Sequence, residues 1–404
     1  MTFIEQLLNG ENVEWKPLGE VCIQISGMRG VSNKWADNGN CRFIDYLNAY
    51  KNIKIDINAL PYATVKKLDQ TELQQGDILF TSASETPDEC AISSVIEGKI
   101  GNGIFLDDHL FGIRIREVYK DAIDSVFLNY YFHSPDFRKV VNKTVRGVTR
   151  FYISKVAFMK LSIPLPHLSV QHRIVEILDK FTALEAELEA ELDCRKRQYE
   201  YYRNQLLSFD MLNRGGQKLN DVKIVKLKDV CTLTRGKRLT KRDLDINGIY
   251  PVYHGGIEPI GYYNQSNRKA NSTMIINVGA SAGTVGYSAN DFWSSDGCFC
   301  FSHNEQLNQR YLYYSLQNIE TFIKSKVRKA GIPTLDNKVL EKILIPLPPL
   351  SVQREIVEIL DKFDTLTNSI SEGLPKEIEL RRKQYEYYRN QLLSFSTVKE
   401  KYHG

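Results

Sequence analysis

Apolar residues recur on an alternating four-then-three spacing from Ile174 onward. Leu178, Phe181, Leu188, Leu192, Tyr199, Tyr202, Leu206 and Phe209 keep the rhythm, which breaks only at Glu185 and Arg195. A period of about 3.5 residues held for about five heptads is the seam of a coiled coil, and the run exceeds an ordinary globular helix. The rhythm returns at Ile356, Leu360, Phe363, Ile370, Leu374, Ile378, Tyr385, Tyr388, Leu392 and Phe395. Gly373 and Pro375 interrupt this second run, which is expected to kink or restart there. Pro-rich leads precede both runs, and Ser169 and Ser351 are the expected N-caps. A helix over 169–209 would be about 60 Å long at a rise of about 1.5 Å per residue. A long amphipathic helix lying on a domain is the alternative for each run.

The two runs belong to a repeat. IPLPHLSVQHRIVEILDKF (Ile163 to Phe181) returns as IPLPPLSVQREIVEILDKF (Ile345 to Phe363), identical at 16 of 19 positions. RKRQYEYYRNQLLSF (Arg195 to Phe209) returns as RRKQYEYYRNQLLSF (Arg381 to Phe395), identical at 13 of 15. The first pair is offset by 182 residues and the second by 186, so the second copy carries four extra residues. A fainter echo lies upstream: Leu18 to Cys22 parallels Leu227 to Cys231, each followed five residues later by a glycine, Gly27 or Gly236. Constant ends therefore flank two inserts that differ in length and in most of their sequence.

This plan predicts an α+β chain with two α/β heads, separated and followed by long coiled-coil helices as a pseudo-two-fold internal repeat. The expected segments are a first head at 1–162, a central helix at 163–209, a linker at 210–222, a second head at 223–344, a distal helix at 345–396 and a tail at 397–404. Within the heads, 76–84, 91–98, 272–279 and 297–301 read as strands, and 126–143 and 307–329 as closing helices. The two constant helices most simply pair with each other, antiparallel. Their expected interface is Ile174, Leu178, Phe181, Tyr199, Tyr202 and Leu206 on the first, with Ile356, Leu360, Phe363, Tyr385, Tyr388 and Leu392 on the second.

Composition adds constraints. The 53 basic and 49 acidic residues leave a net charge of only +4, so any nucleic-acid surface must be local. Basic residues do cluster inside the heads. The segment 234–242 carries Arg235, Lys237, Arg238, Lys241 and Arg242 around one glycine. Lys324, Lys326, Arg328 and Lys329 precede Gly331, while Lys143, Arg146 and Arg150 bracket Gly147 at the matching place in the first head. Arg and Lys on glycine turns suit phosphate contact and base-edge reading, with a solvated charged face as the alternative. The seven scattered cysteines argue against a disulfide framework and for a reducing compartment. No apolar run is long enough to cross a bilayer, and the start lacks the pattern of a signal peptide.

Catalytic motifs are sparse. There is no phosphate-binding Gly-rich loop and no metal-spaced His/Cys set, and no histidine forms a nucleophile–base pair. Asp88, Glu97 and Lys99 could imitate the carboxylate–carboxylate–lysine set of a Mg²⁺-dependent nuclease, but the second head has no counterpart.

Two dissimilar heads, each followed by a near-identical helix bearing IPLP-x-LSVQ and QYEYYRNQLLSF, resemble the specificity subunit of Type I restriction–modification systems across essentially the whole chain. The resemblance implies two target-recognition domains, an asymmetric bipartite site on double-stranded DNA, and a helical spacer between the readers. It also implies two adenine-methyltransferase subunits using S-adenosylmethionine, two motor subunits using ATP and Mg²⁺, no cofactor or catalytic centre on this chain, and a prokaryotic cytoplasmic setting. A non-catalytic coiled-coil adaptor that binds proteins through both heads is the competing class.

Overall fold

The computed structural model describes residues 2–58, 60–66, 70–208, 212, 222–369 and 371–395. Phe209, Ile370, most of the 210–222 linker and the 397–404 tail lie outside the described residues. The chain divides into two compact units, residues 1–187 with 379–404 and residues 188–378.

In the first unit, strands Cys22–Ser26, Leu110–Ile115, Ile78–Thr81 and Ser93–Val95 lie side by side in that order, all antiparallel. Side chains alternate across a strand, and both faces of this sheet are covered. Ile78 and Phe80 enter one core with Phe111 and Ile113, whereas Leu79 enters another with Ile25 and Leu110. That explains a continuous apolar run in place of an alternating one. A second sheet orders Val31–Lys34, Tyr62–Val65, Cys41–Ile44 and Ile104–Leu106, the last pair parallel. The expected helix over 126–143 is two helices, Ser125–Phe132 and Pro135–Val141. Pro135 has no N–H to continue the first, and the Ser134 hydroxyl accepts from the Phe137 N–H at 3.2 Å to start the second.

The second unit repeats this topology in unrelated sequence. Strands Leu233–Arg235, Cys298–Phe301, Ser272–Ile276 and Val285–Ser288 form the antiparallel sheet. Gly261–Tyr263, Tyr250–Tyr253 and Trp293–Ser294 form the smaller one, again with a parallel last pair. The expected helix over 307–329 is also split, into Gln309–Asn318 and Glu320–Ser325, at Ile319. No glycine or proline marks that break.

The repeated LSVQ motif fastens each head to its constant helix. Gln171 is fully buried. Its amide oxygen accepts from the Asp124 N–H at 2.9 Å, and its NH₂ donates to the carbonyls of Ala122 and Pro166. Gln353 does the same with the Asn308 N–H and the carbonyls of Gln306 and Pro348. Asp124 and Asn308 are the N-caps of the first helix of each head pair, so one glutamine locks the start of that helix. Eight residues on, Asp179 accepts from the Tyr130 hydroxyl at 2.7 Å and Asp361 from the Tyr314 hydroxyl at 2.5 Å. Burial, then the adjacent carboxylate, pushes both phenols well above the ordinary tyrosine range, so they remain donors.

The first constant helix is Leu168–Leu206, 39 residues, and begins one residue before the expected cap. Ser169 lies in its first turn, where its N–H donates to His167 Nδ1 at 3.3 Å. The distal run is two helices, Leu350–Asn368 and Gly373–Leu392, the former also starting ahead of Ser351. The interruption is a restart. Gly373 has φ +79°, and a Cβ there would lie 2.4 Å from the Thr365 carbonyl oxygen, a position only glycine tolerates.

In the first unit Phe181 stacks on Tyr388 at 5.3 Å, and Glu185 pairs with Arg382. As one helix advances the other retreats, so this pairing is antiparallel. Ile174, Leu178, Tyr385 and Leu392 join the core of the first head. In the second unit Phe363 faces Tyr199 and Tyr202 at 6.3 and 5.5 Å, and Tyr199, Ile356 and Leu360 are buried with Leu206 beside them.

His133 is half-buried, and its Nε2–H donates to the Ser93 carbonyl at 2.8 Å. Burial, with Arg138 and Arg389 nearby, lowers its pKa to about 4 against the hydrogen bond, which raises it.

Two measurements follow from these contacts. Gln171→Leu and Gln353→Leu each orphan one buried carbonyl, that of Pro166 or Pro348, and two part-buried groups; an orphaned buried group costs about 1–3 kcal/mol, and urea unfolding should show a loss of at least that size. His133 is neutral in both states above pH ~6.5, and below it the unfolded chain takes up a proton that the folded chain refuses until about pH 4. Stability should therefore fall as pH drops from 6.5 to 4, and His133→Asn should flatten that slope in pH-dependent unfolding.

Candidate nucleic-acid interface

Each four-stranded sheet has one end from which the irregular segments leave. In the second head, Arg235 pairs with Phe299 and Ile276 with Cys298, which puts the close of two strands and the opening of a third at that end. The chain then runs into 236–240, 277–284 and 293–297. A hairpin lies against them, with Arg328 opposite Thr334 and Thr334 opposite Val278. Segments 235–242 and 328–329, almost a hundred residues apart in sequence, therefore gather at one end of one sheet.

The first head matches. Strand Val145–Gly147 pairs with Phe151–Ile153, which pairs with Ala83–Ser84 beyond the end of strand Ile78–Thr81. The two hairpins share a register. Arg146 faces Tyr152 and Arg328 faces Thr334, each pair enclosing five residues. The next residue donates in both cases to the chain just past the sheet: Ile153 N–H to Ser82 O at 3.1 Å, Leu335 N–H to Asn277 O at 2.9 Å. Arg146 thus corresponds to Arg328. This corrects the expected match of glycines, because Gly147 corresponds to Lys329, while Gly331 falls at the tip of its loop.

The expected cations differ in freedom. Lys143, Arg146, Lys237, Arg238, Lys241, Arg242, Arg328 and Lys329 are exposed and have no side-chain partner among the described residues. Arg150 lies 6.0 Å from the Tyr152 ring, and Lys326 lies 4.9 Å from that of Phe322. Lys324 is held by Glu320 at 2.6 Å, and Arg235 Nε donates to the Asp296 carbonyl at 2.7 Å. Those last two are exposed but tethered to their own head.

At the same end of the first head, a cleft of about 1270 Å³ is lined by Tyr46, His109, Arg150, Tyr152 and Lys155 among others. Burial, with Arg29 nearby, lowers the Lys155 pKa. Arg29 and Lys155 escaped the sequence reading. The signal for Arg29 was present, because it lies two residues after Gly27, as Arg238 does after Gly236.

Those two glycines have a common physical cause. A Cβ on Gly27 would sit 2.3 Å from the Asp107 carbonyl oxygen, and one on Gly236 would sit 2.2 Å from those of Ser294 and Ser295. Backbone crosses backbone there, as the chain leaves the first strand.

The residues of the nuclease reading are not brought together. Asp88 accepts from the Asn142 side chain, and Glu97 pairs with Lys54 at 2.9 Å. Among the described residues, Asp107, Asp108 and His109 are grouped closely enough for a metal, but the Lys34 ammonium lies 3.1 Å from Asp107 and also pairs with Asp108. That arrangement is an ion-pair cluster.

The sequence matches the family described as "Type I restriction modification DNA specificity domain" twice, over residues 10–193 and 220–380. It is 32% identical to a putative type I restriction enzyme specificity subunit from Haemophilus influenzae, over 98% of this chain and 99% of that protein. It is 31% identical to the EcoR124I/EcoR124II specificity subunit of Escherichia coli, over 98% and 97%. The fold is similar to that of the crystallised S subunit of a type I system from M. genitalium, with TM-score 0.60 and 17% identity, covering 95% of this chain and 97% of that one.

The close crossings give a direct test. Gly27→Ala and Gly236→Ala should each cost about 1–3 kcal/mol in denaturant unfolding, the range for overpacking. Gly256→Ala, with nothing within 4 Å of the added Cβ, should stay within about 0.5 kcal/mol of the parent.

Proposed function

The chain belongs to the Type I restriction–modification DNA-specificity family, and from that premise we propose that it reads an asymmetric bipartite site on double-stranded DNA, one half with each head. The observation that carries this reading is the register-matched pair Arg146 and Arg328, each an exposed guanidinium with no side-chain partner among the described residues, on equivalent hairpins of two heads that share topology and not sequence. An exposed arginine whose backbone is paired across a hairpin suits a guanine edge or a phosphate. Lys143, Lys237, Arg238, Lys241, Arg242 and Lys329, exposed at the same ends, would position the duplex through its phosphates. Binding should therefore weaken steeply with salt.

The constant helices would hold the two readers at a set separation, so that helix length selects the gap between half-sites. A helix of 39 residues, about 60 Å at about 1.5 Å per residue, is compatible with half-sites spaced by one DNA turn of about 34 Å or more. The same helices would dock two methyltransferase subunits. In support, Tyr201 and Tyr387, identical in the two copies, are 60% and 61% exposed, each with its ring edge-on to the following tyrosine at 5.5 Å. On this reading methylation with S-adenosylmethionine, and translocation and cleavage with ATP and Mg²⁺, belong to partner subunits in the cytoplasm. This chain would contribute recognition only.

The test is base-resolution methylation mapping after expression with a partner methyltransferase in a naive host. The parent should mark a split motif. Arg146→Ala should relax one half and Arg328→Ala the other, each with about 5- to 150-fold weaker binding of that half. A contiguous motif, or equal loss at both halves from either variant, contradicts independent heads. A chain that retains no DNA but captures protein through its heads would be an adaptor.

A further inference from the structure

The two register-matched hairpins end in three-residue tips, Val148-Thr149-Arg150 in the first head and Ala330-Gly331-Ile332 in the second. Each tip holds a β-branched apolar side chain out into solvent, Val148 at 88% and Ile332 at 71% exposure. Isolated exposed apolar residues are ordinary on a protein surface. What is specific here is recurrence: the same loop of both heads carries one, at the first position of the tip in one head and at the third in the other. In the first head the apolar residue leads and Arg150 follows. In the second Lys329 leads and Ile332 follows.

The backbones keep these side chains outward. Gly147 has φ +123°, and a Cβ there would lie 2.0 Å from the Arg150 carbonyl oxygen, so the first tip is closed as tightly as glycine allows. In the second, Gly331 has φ +77°, and the Thr334 hydroxyl donates to the Ile332 carbonyl at 2.8 Å.

On the DNA-reading function proposed above, the partner of such a tip is a base edge in the major groove, where the thymine 5-methyl is the apolar group presented. We propose that Val148 and Ile332 are specificity-determining residues, each closing on the methyl of one thymine in its own half-site. The apolar residue sits at a different position of each tip, which gives each head a different sequence to prefer, although Arg146 and Arg328 are the same in both.

The test uses the complex of this chain with its methyltransferase subunits. Each thymine of the mapped site is replaced singly by deoxyuridine, which removes only the methyl. One thymine in each half should lose about fourfold in affinity, the weight of one buried methyl. Val148→Ser should abolish that sensitivity in one half and Ile332→Ser in the other. Both residues are exposed, and unfolding curves of the variants should superimpose on the parent's. The inference is overturned if the split site is bound selectively and no thymine responds to loss of its methyl, or if the response survives the serine variants. Indifference to sequence in the parent complex would instead remove the DNA-reading function on which the inference rests.

Discussion

A glutamine amide buried at the first turn of a helix is the constraint on which the rest of the molecule depends. Gln171 and Gln353 each satisfy one backbone N–H and two carbonyls, one of them buried, from segments on either side of the joint. Two turns on, Asp179 and Asp361 receive a buried tyrosine hydroxyl from the same head helix. A polar group buried without a partner costs more than a satisfied one gains, so these contacts act as a key and not as glue. They fix where the helices Ser125–Phe132 and Gln309–Asn318 begin, and through them the sheet against which each packs. The near-identity of the two constant blocks follows, because the joint is made twice with the same chemistry.

Away from the joint, the heads obey only topology. Both build the four-stranded antiparallel sheet in the same strand order and add a smaller sheet ending in a parallel pair. Their interiors share almost no sequence, which is what a hydrophobic core permits when volume and patterning are kept. Where backbone crosses backbone there is no such latitude, and Gly27 and Gly236 persist in both. The loops at that end of each sheet carry no core, so their composition is free to follow the surface they meet.

Much of this was legible in the sequence for specific reasons. The 3.5-residue rhythm located the constant helices, the repeat divided the chain, and the apolar runs at 76–84 and 272–279 contained strands that bury both faces. Helix boundaries were less visible. The Ser169 and Ser351 caps are displaced because helical bonding already begins at the His167 and Pro349 carbonyls, which accept from the N–H groups of Gln171 and Gln353. Pro135 did forecast a break that the 126–143 reading passed over. At Ile319 no residue type announces one. The basic clusters were found by charge, but charge could not tell Lys324 and Arg235, held by their own head, from Arg146 and Arg328, which are free. Register also could not be read from glycines alone, since Gly147 and Gly331 occupy different places in equivalent hairpins.

If the joint is what defines a head's position, it should accept either head. The most direct measurement is methylation mapping of a chimera in which residues 227–344 replace residues 18–162, so that both joints carry the second head. The account predicts a two-fold symmetric motif built from one half-site in inverted repeat, made by a chain as stable as its parent. A folded chimera that still marks the parent's asymmetric motif, or marks none while binding DNA, would contradict it.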